Sequence, residues 1–241
     1  MVKAAAFGGG DPSNSAMNPK MRAQTSFADA TIENISAFTQ QFPDVAHCML
    51  SSTRDLSEAF INYLQRHFTT IILDHTTLLP ITIDYETPHT LGSDRIAAAL
   101  GAAAEFPDNN VLAITAGTCI TYNFLSIDGR LKGGGIAPGL IMRLEAMHEF
   151  TDQLPLVQNQ DFDELIGKST EQSMLSGARK GIIAEVDGII NQYKQLYNPL
   201  KVVISGGDTG FFESRLKSSI FADPYVVLKG LNKILEYNIN N

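Results

Sequence analysis

Apolar residues in this chain fall into short runs that alternate with stretches of helical spacing. Val2 to Phe7, Ala46 to Leu50 and Thr70 to Leu73 read as strands. Between them the spacing predicts a helix from about Thr31 to Gln41 and another, capped by Asp55, running to about His67. A β-branched, extended stretch over Ile81, Thr82 and Ile83 leads to an alanine-rich helix from Ile96 to Ala104. Val111 to Ile114 and Ile120 to Ile127 form two further strands around the small turn Thr115-Ala-Gly-Thr118. Ile127-Asp-Gly-Arg130 is a hairpin turn, and Leu131 to Ile136 returns as a third strand through Gly133-Gly-Gly135. Helices are expected near Leu140–Glu149, Thr170–Ala178, Gly181–Tyr197 and Gly210–Lys217. Lys201 to Ser205 is a buried strand ending in Gly206-Gly-Asp208, and Tyr225 to Leu228 a last strand before a terminal helix to about Tyr237. Residues 1–25 are the least patterned part, and Gly8 to Ser15 has loop chemistry. Strands alternating with helices place the chain in the α/β class.

Composition narrows the function. The chain has 241 residues, 44% of them hydrophobic and 18% charged, which suits one large globular domain or two small ones. A net charge of −8 without a Lys/Arg cluster argues against a nucleic-acid surface, because phosphate neutralisation needs clustered cations. Cys48 and Cys119 lie in apolar stretches without metal or disulfide spacing, so both are expected as buried reduced thiols. The five histidines are scattered and lack metal-ligand spacing. No leader pattern or bilayer-length apolar run is present, and the expectation is a soluble cytoplasmic protein with no membrane partner.

Candidate chemistry concentrates in Tyr85-Glu-Thr-Pro-His-Thr-Leu-Gly-Ser-Asp-Arg95. Gly92 allows a close backbone approach, and Ser93 or Asp94 can cap the following helix, where first-turn amides are unpaired. Tyr85 is a polar anchor, Asp94 a potential general base and Arg95 an anion clamp, all at one helix start. Downstream, the turns at Thr115-Ala-Gly-Thr118, Gly133-Gly-Gly135 and Gly206-Gly-Asp208 are of the kind that lets main-chain amides reach phosphate oxygens. Phe211 and Phe212 read as packing residues, and Met142, Met147 and Met174 lie on helical packing faces.

Five blocks in this order resemble a known family. They are Tyr85 with Leu91-Gly-Ser-Asp-Arg95, Ala116-Gly-Thr118-x-x-Thr121, Gly134-Gly-Ile-Ala-Pro-Gly-Leu140, Thr170 with Ser176-Gly177, and Ile204-Ser-Gly-Gly-Asp208. The chain is similar to type III pantothenate kinases, of the acetate kinase/sugar kinase/heat-shock ATPase superfamily. The resemblance implies two ribonuclease-H-like (actin-like ATPase) halves with mixed sheets, here 1–108 and 109–241, with ATP between them in a homodimer. It implies ATP-dependent phosphorylation of pantothenate on its 4′-hydroxyl, the first step of coenzyme A synthesis. Tyr85 and Gly92 to Arg95 match pantothenate-binding positions, and Asp94 matches the proton acceptor. Gly117 and Thr118 match nucleotide contacts, and Thr170 a pantothenate contact near the dimer interface. Mg²⁺ with ATP and a monovalent cation, K⁺ or NH₄⁺, are the implied cofactors.

The chain also departs from that pattern. The family's opening Asp-x-Gly-Asn-Thr is absent, as though the first strand of the N-terminal half were missing by truncation or a misplaced start. Thr115 stands at the K⁺ position, where the family places aspartate, and Asn123 where an aspartate often ends the strand. Asp128 and Asp208 lie near these motifs, Asp128 in a turn. An impaired relative that binds pantothenate, a nucleotide or a protein without turnover is the alternative reading. A sugar or acetate kinase fits the Leu-Gly-x-Asp-Arg block poorly.

Overall fold

The computed structural model describes residues 2–8, 20–52 and 54–241. The centre of the molecule is a six-stranded mixed sheet of order β10-β9-β6-β7-β8-β5. Its strands are β5 (Thr82–Ile83), β6 (Asn110–Ala116), β7 (Cys119–Leu125), β8 (Arg130–Pro138), β9 (Leu200–Ser205) and β10 (Phe221–Ala222). β6, β7 and β8 form an antiparallel meander, β9 runs parallel to β6, and β5 and β10 add parallel edges. Gly129, at φ +76°, closes the β7–β8 hairpin where the sequence places it.

β6 is apolar on both faces because both are covered. Val111 and Ala113 pack with Ala98, Ala102 and Val226, which belong to α3 (Ser93–Glu105) and α7 (Val226–Ile239). Leu112 and Ile114, on the opposite face, join Leu144, Ile182 and Val186 from α4 (Leu140–Glu149) and α5 (Thr170–Leu196). Earlier in the chain, β1 (Val2–Gly8) pairs antiparallel with β2 (Lys20–Phe27), and α1 (Ile32–Thr39) follows. β3 (His47–Leu50), α2 (Glu58–His67) and β4 (Thr69–Ile72) form a parallel strand–helix–strand unit.

Several expectations need correction. β2 was not anticipated; its side chains alternate between exposed and half-buried, but few of them are apolar. Apart from Gly8, which ends β1, the expected loop over Gly8–Ser15 lies outside the described residues. Ser57, not Asp55, caps α2: its hydroxyl accepts from the Phe60 amide at 3.3 Å. The two helices expected over 170–197 are one continuous α5, because Gly177 and Gly181 lose only helix propensity and meet no neighbour that would break it. The helix after Gly206 is the short α6 (Thr209–Glu213) rather than a run to Lys217. The strand expected at Tyr225–Leu228 is the start of α7, where Val226, Gly230 and Ile234 recur every four residues on the buried face. Cys48 and Cys119 are free and half-buried rather than fully buried, and burial pushes the Cys48 thiol up to about 11. No helix among the described residues is long and apolar enough to cross a membrane.

Candidate functional site

β5 delivers the chain to Tyr85, and a turn of 3₁₀ helix at Pro88–Thr90 brings it to Gly92, the cap residue of α3. The Tyr85 ring lies against Gly133 of β8, where a Cβ would approach two ring carbons to 2.8 Å. Tyr85 also packs into the cluster that holds Leu91 and Ile96, so β8 and the α3 start converge on it. Ser93 and Asp94 are first-turn residues of the helix, not caps, and no side chain caps it. Ser93 instead shares a 2.8 Å hydrogen bond with Ser51, just past β3. A Cβ on Gly92 would lie 2.6 Å from Asp94 Oδ1, so glycine leaves that carboxylate its position. The half-buried Asp94 carboxylate makes no hydrogen bond or ion pair with any other described residue.

Arg95 turns inward. It is 6% exposed, and its Nε donates to Asn123 Oδ1 at 2.6 Å while Nη2 donates to the Tyr122 carbonyl at 3.3 Å. Asn123, 1% exposed, donates through Nδ2 to Ala113 O at 3.2 Å and to Thr121 Oγ1 at 3.0 Å. Thr121 and Thr115 share a hydroxyl hydrogen bond of 2.6 Å. A polar file therefore crosses the sheet from α3 to β6, with the guanidinium as its one formal charge. The sequence reads Arg95 as an anion clamp, and two of its three guanidinium nitrogens are engaged within the protein.

A second group of loops meets at the β6–β7 turn. Gly139, the cap of α4, donates its amide to Thr118 O at 2.9 Å, and a Cβ there would sit 1.9 Å from Gly117 O. Gly206, at φ +104°, lies against Ala116, whose carbonyl accepts from the Asp208 amide at 3.1 Å. These contacts hold three glycine-bearing turns together and leave Thr118 exposed. Arg143 braces the arrangement: its Nε donates to Pro138 O at 2.9 Å and its Nη2 pairs with Glu185 at 2.6 Å. Burial, and then the charge of Glu185, push the Tyr122 hydroxyl up from its ordinary value. Burial likewise raises Asp208. Neither Arg143 nor Glu185 was singled out in the sequence, and no motif marks them.

Beyond Asp208 lies a cavity of about 340 Å³ lined by Asp163, Arg179, Lys180, Ile183, Phe211 and Arg215. The Arg179 and Arg215 guanidinium carbons each lie 5.0 Å from the centre of the Phe211 ring. Phe212 is the core residue of the pair, at 1% exposure. Thr170 opens α5 and is exposed; no hydrogen bond or ion pair among the described residues joins it to the α3 start. Exposed Asp128 bonds Ser126 and Arg130 within its turn, and the Ser126 hydroxyl holds it below the usual carboxylate range.

The sheet, the unpartnered acid at a helix start and the glycine turns clustered at the end of β6 define a mixed α/β protein. A model of the type III pantothenate kinase family matches residues 4–192. A type III pantothenate kinase of Bacteroides fragilis is 42% identical over 88% of this chain and 87% of its own length. One from Cytophaga hutchinsonii is 46% identical over 80% and 81%, respectively. The chain belongs to the type III pantothenate kinase family. Its fold is that of a conserved Baf family protein from Campylobacter jejuni, which matches 86% of this chain and 89% of its own at a TM-score of 0.55 and 22% identity.

Proposed function

We propose that this chain transfers the γ-phosphoryl group of ATP to the 4′-hydroxyl of pantothenate, the entry step of coenzyme A synthesis. The observation that carries the reading is the Asp94 carboxylate, unpartnered among the described residues at the start of α3 in a chain of this family. A primary alcohol is a weak nucleophile, and a carboxylate within hydrogen-bond reach accepts its proton as the O–P bond forms. Arg95 Nη1, which makes no hydrogen bond with any described residue, is left for the substrate carboxylate, with Tyr85, Gly92 and Ser93 as the other substrate contacts of this reading. Gly117 and Thr118 receive donor phosphates at the β6–β7 turn. The donor's base fits the cavity beside Phe211, where an aromatic ring and aliphatic Ile183 offer stacking and burial.

A divalent ion accompanies the nucleotide, neutralising charge on the transferred group. Magnesium asks of a protein only one or two carboxylates beside the phosphates. Asp208 suits that demand, because a carboxyl pushed up by burial gains from a nearby cation.

In this reading residues 1–108 and 109–241 are the two ribonuclease-H-like halves. Thr170 acts across a homodimer interface, and exposed Phe150, Leu156, Leu165 and Ile166 supply an apolar face for it. The test is ADP release with Mg-ATP and pantothenate, glucose or acetate as acceptor. Release with pantothenate alone, abolished in Asp94→Asn, supports the reading. Release with glucose or acetate contradicts it. Pantothenate binding by calorimetry without ADP release leaves a binding-only relative, the reading favoured by the neutral residues at 115 and 123.

A further inference from the structure

We propose that this chain dispenses with the monovalent cation its family implies, because the place for one is taken by the polar file that ends on the buried Arg95 guanidinium. The inference rests on the phosphoryl-transfer reading above. Its starting point is the donor set at Thr115. An alkali cation is held by several oxygens with free lone pairs, and an adjacent carboxylate strengthens the site. Thr115 offers one neutral hydroxyl, and that hydroxyl is already 2.6 Å from Thr121 Oγ1.

The hydrogens of the file run outward from Arg95. A guanidinium only donates, so Asn123 must present Oδ1 to Arg95 Nε and Nδ2 to Ala113 O and Thr121 Oγ1. A carboxylate at 123 has no hydrogen for the Ala113 carbonyl and would set two acceptors against each other. Asparagine is therefore the residue this file requires. Thr121 receives an amide hydrogen, and one further hydroxyl hydrogen lies between it and Thr115. The Tyr122 carbonyl is likewise taken by Arg95 Nη2. Asn123 Oδ1, the Ala113 and Tyr122 carbonyls and Thr121 Oγ1 each accept a hydrogen, and Thr115 Oγ1 is engaged with Thr121 as donor or acceptor.

Charge points the same way. Arg95 is buried and makes no ion pair with any described residue, so without substrate its charge is met only by the Asn123 and Tyr122 oxygens. A second cation placed there would be repelled in surroundings that screen poorly.

The experiment has two readouts on the full chain. The kinase rate is measured at constant ionic strength in the chlorides of K⁺, NH₄⁺, Na⁺ and tetramethylammonium, and the rates are expected to agree within about twofold. Thermal melting is followed through the same salts without nucleotide, and the curves are expected to superimpose. A rate at least about tenfold higher in K⁺ or NH₄⁺ would overturn the proposal. So would a saturable rise in melting temperature specific to K⁺. If no salt gives turnover, the kinase reading fails, while the melting curves still decide the cation question.

Discussion

Gly139→Ala isolates the role of the β6–β7 turn. The backbone at Gly139, φ −71° and ψ 177°, is one that alanine adopts freely, so the substitution carries no conformational strain. Its whole effect is steric. The new Cβ would lie 1.9 Å from Gly117 O and 2.7 Å from Thr118 O, whereas real Cβ contacts stay beyond 3.0 Å. The α4 start and the turn must therefore part by at least about 1.1 Å, stretching the Gly139–Thr118 hydrogen bond as they do. Overpacking of this kind costs ~1–3 kcal/mol, which for a chain of this size lowers the melting temperature by roughly 2–12 °C. A displacement of about 1 Å at groups that position a reacting phosphate is expected to cost on the order of 10²-fold in kcat/KM for ATP. KM for pantothenate should stay within about threefold, because Tyr85 and the α3 start are anchored elsewhere. Gly117→Ala is the companion variant. Its Cβ meets nothing within 4 Å, so melting should be unchanged while the methyl group intrudes on the phosphates and raises KM for ATP. Steady-state kinetics with ATP as the varied substrate, beside melting curves, give the answer. The assignment of phosphates to this turn is wrong if Gly139→Ala shows its melting loss yet keeps kcat/KM for ATP within about threefold of the parent.

Asp94→Asn should lower kcat by ~10²–10⁴ with little change in melting, because its side chain supports no bond within the protein. Arg179→Ala should destabilise by about 1–3 kcal/mol, since its guanidinium holds the 159–163 segment through Phe162 O at 3.0 Å, Asn159 at 3.0 Å and Asp161 at 2.5 Å. Burial pushes Asp187 up, but the Lys217 and Ser218 amides, donating at 3.1 and 2.9 Å, outweigh it and hold the carboxyl below its ordinary value. A lowered folded value means stability that is present above the unfolded carboxyl range and lost as pH falls through the folded one. Asp187→Asn should thus melt lower than the parent at about pH 7, and the gap should close below about pH 4.

Local rules carried much of this fold. α4 begins and ends where the apolar spacing places it, between Gly139 and Phe150, because its burial, cap and propensity agree. The β7–β8 hairpin follows from Asp128-Gly129 alone. Errors arose where a local signal met a tertiary one. Val226 and Val227 have strand propensity, but they belong to a helix because Val226, Gly230 and Ile234 bury one face against α3 and the sheet. Gly177 and Gly181 look like helix breaks, yet the flanking apolar residues keep α5 continuous. The site divides in the same way. Tyr85, Gly92 and Asp94 lie on one short segment and were legible as a unit. The partner of Arg95, Asn123, stands 28 residues away on another element, and nothing local indicates that the guanidinium points inward. The bracing of Pro138 by Arg143 and Glu185 is hidden for the same reason, the ion-pair partners standing 42 positions apart.

The central claim is best tested by mass spectrometry of the product formed from pantothenate and Mg-ATP, with fragmentation to place the added phosphate. The account predicts a monophosphorylated pantothenate carrying the group on its 4′-hydroxyl, formed by the parent chain and lost in Asp94→Asn. Unmodified pantothenate after prolonged incubation with the folded chain, or product formed equally by Asp94→Asn, would contradict it.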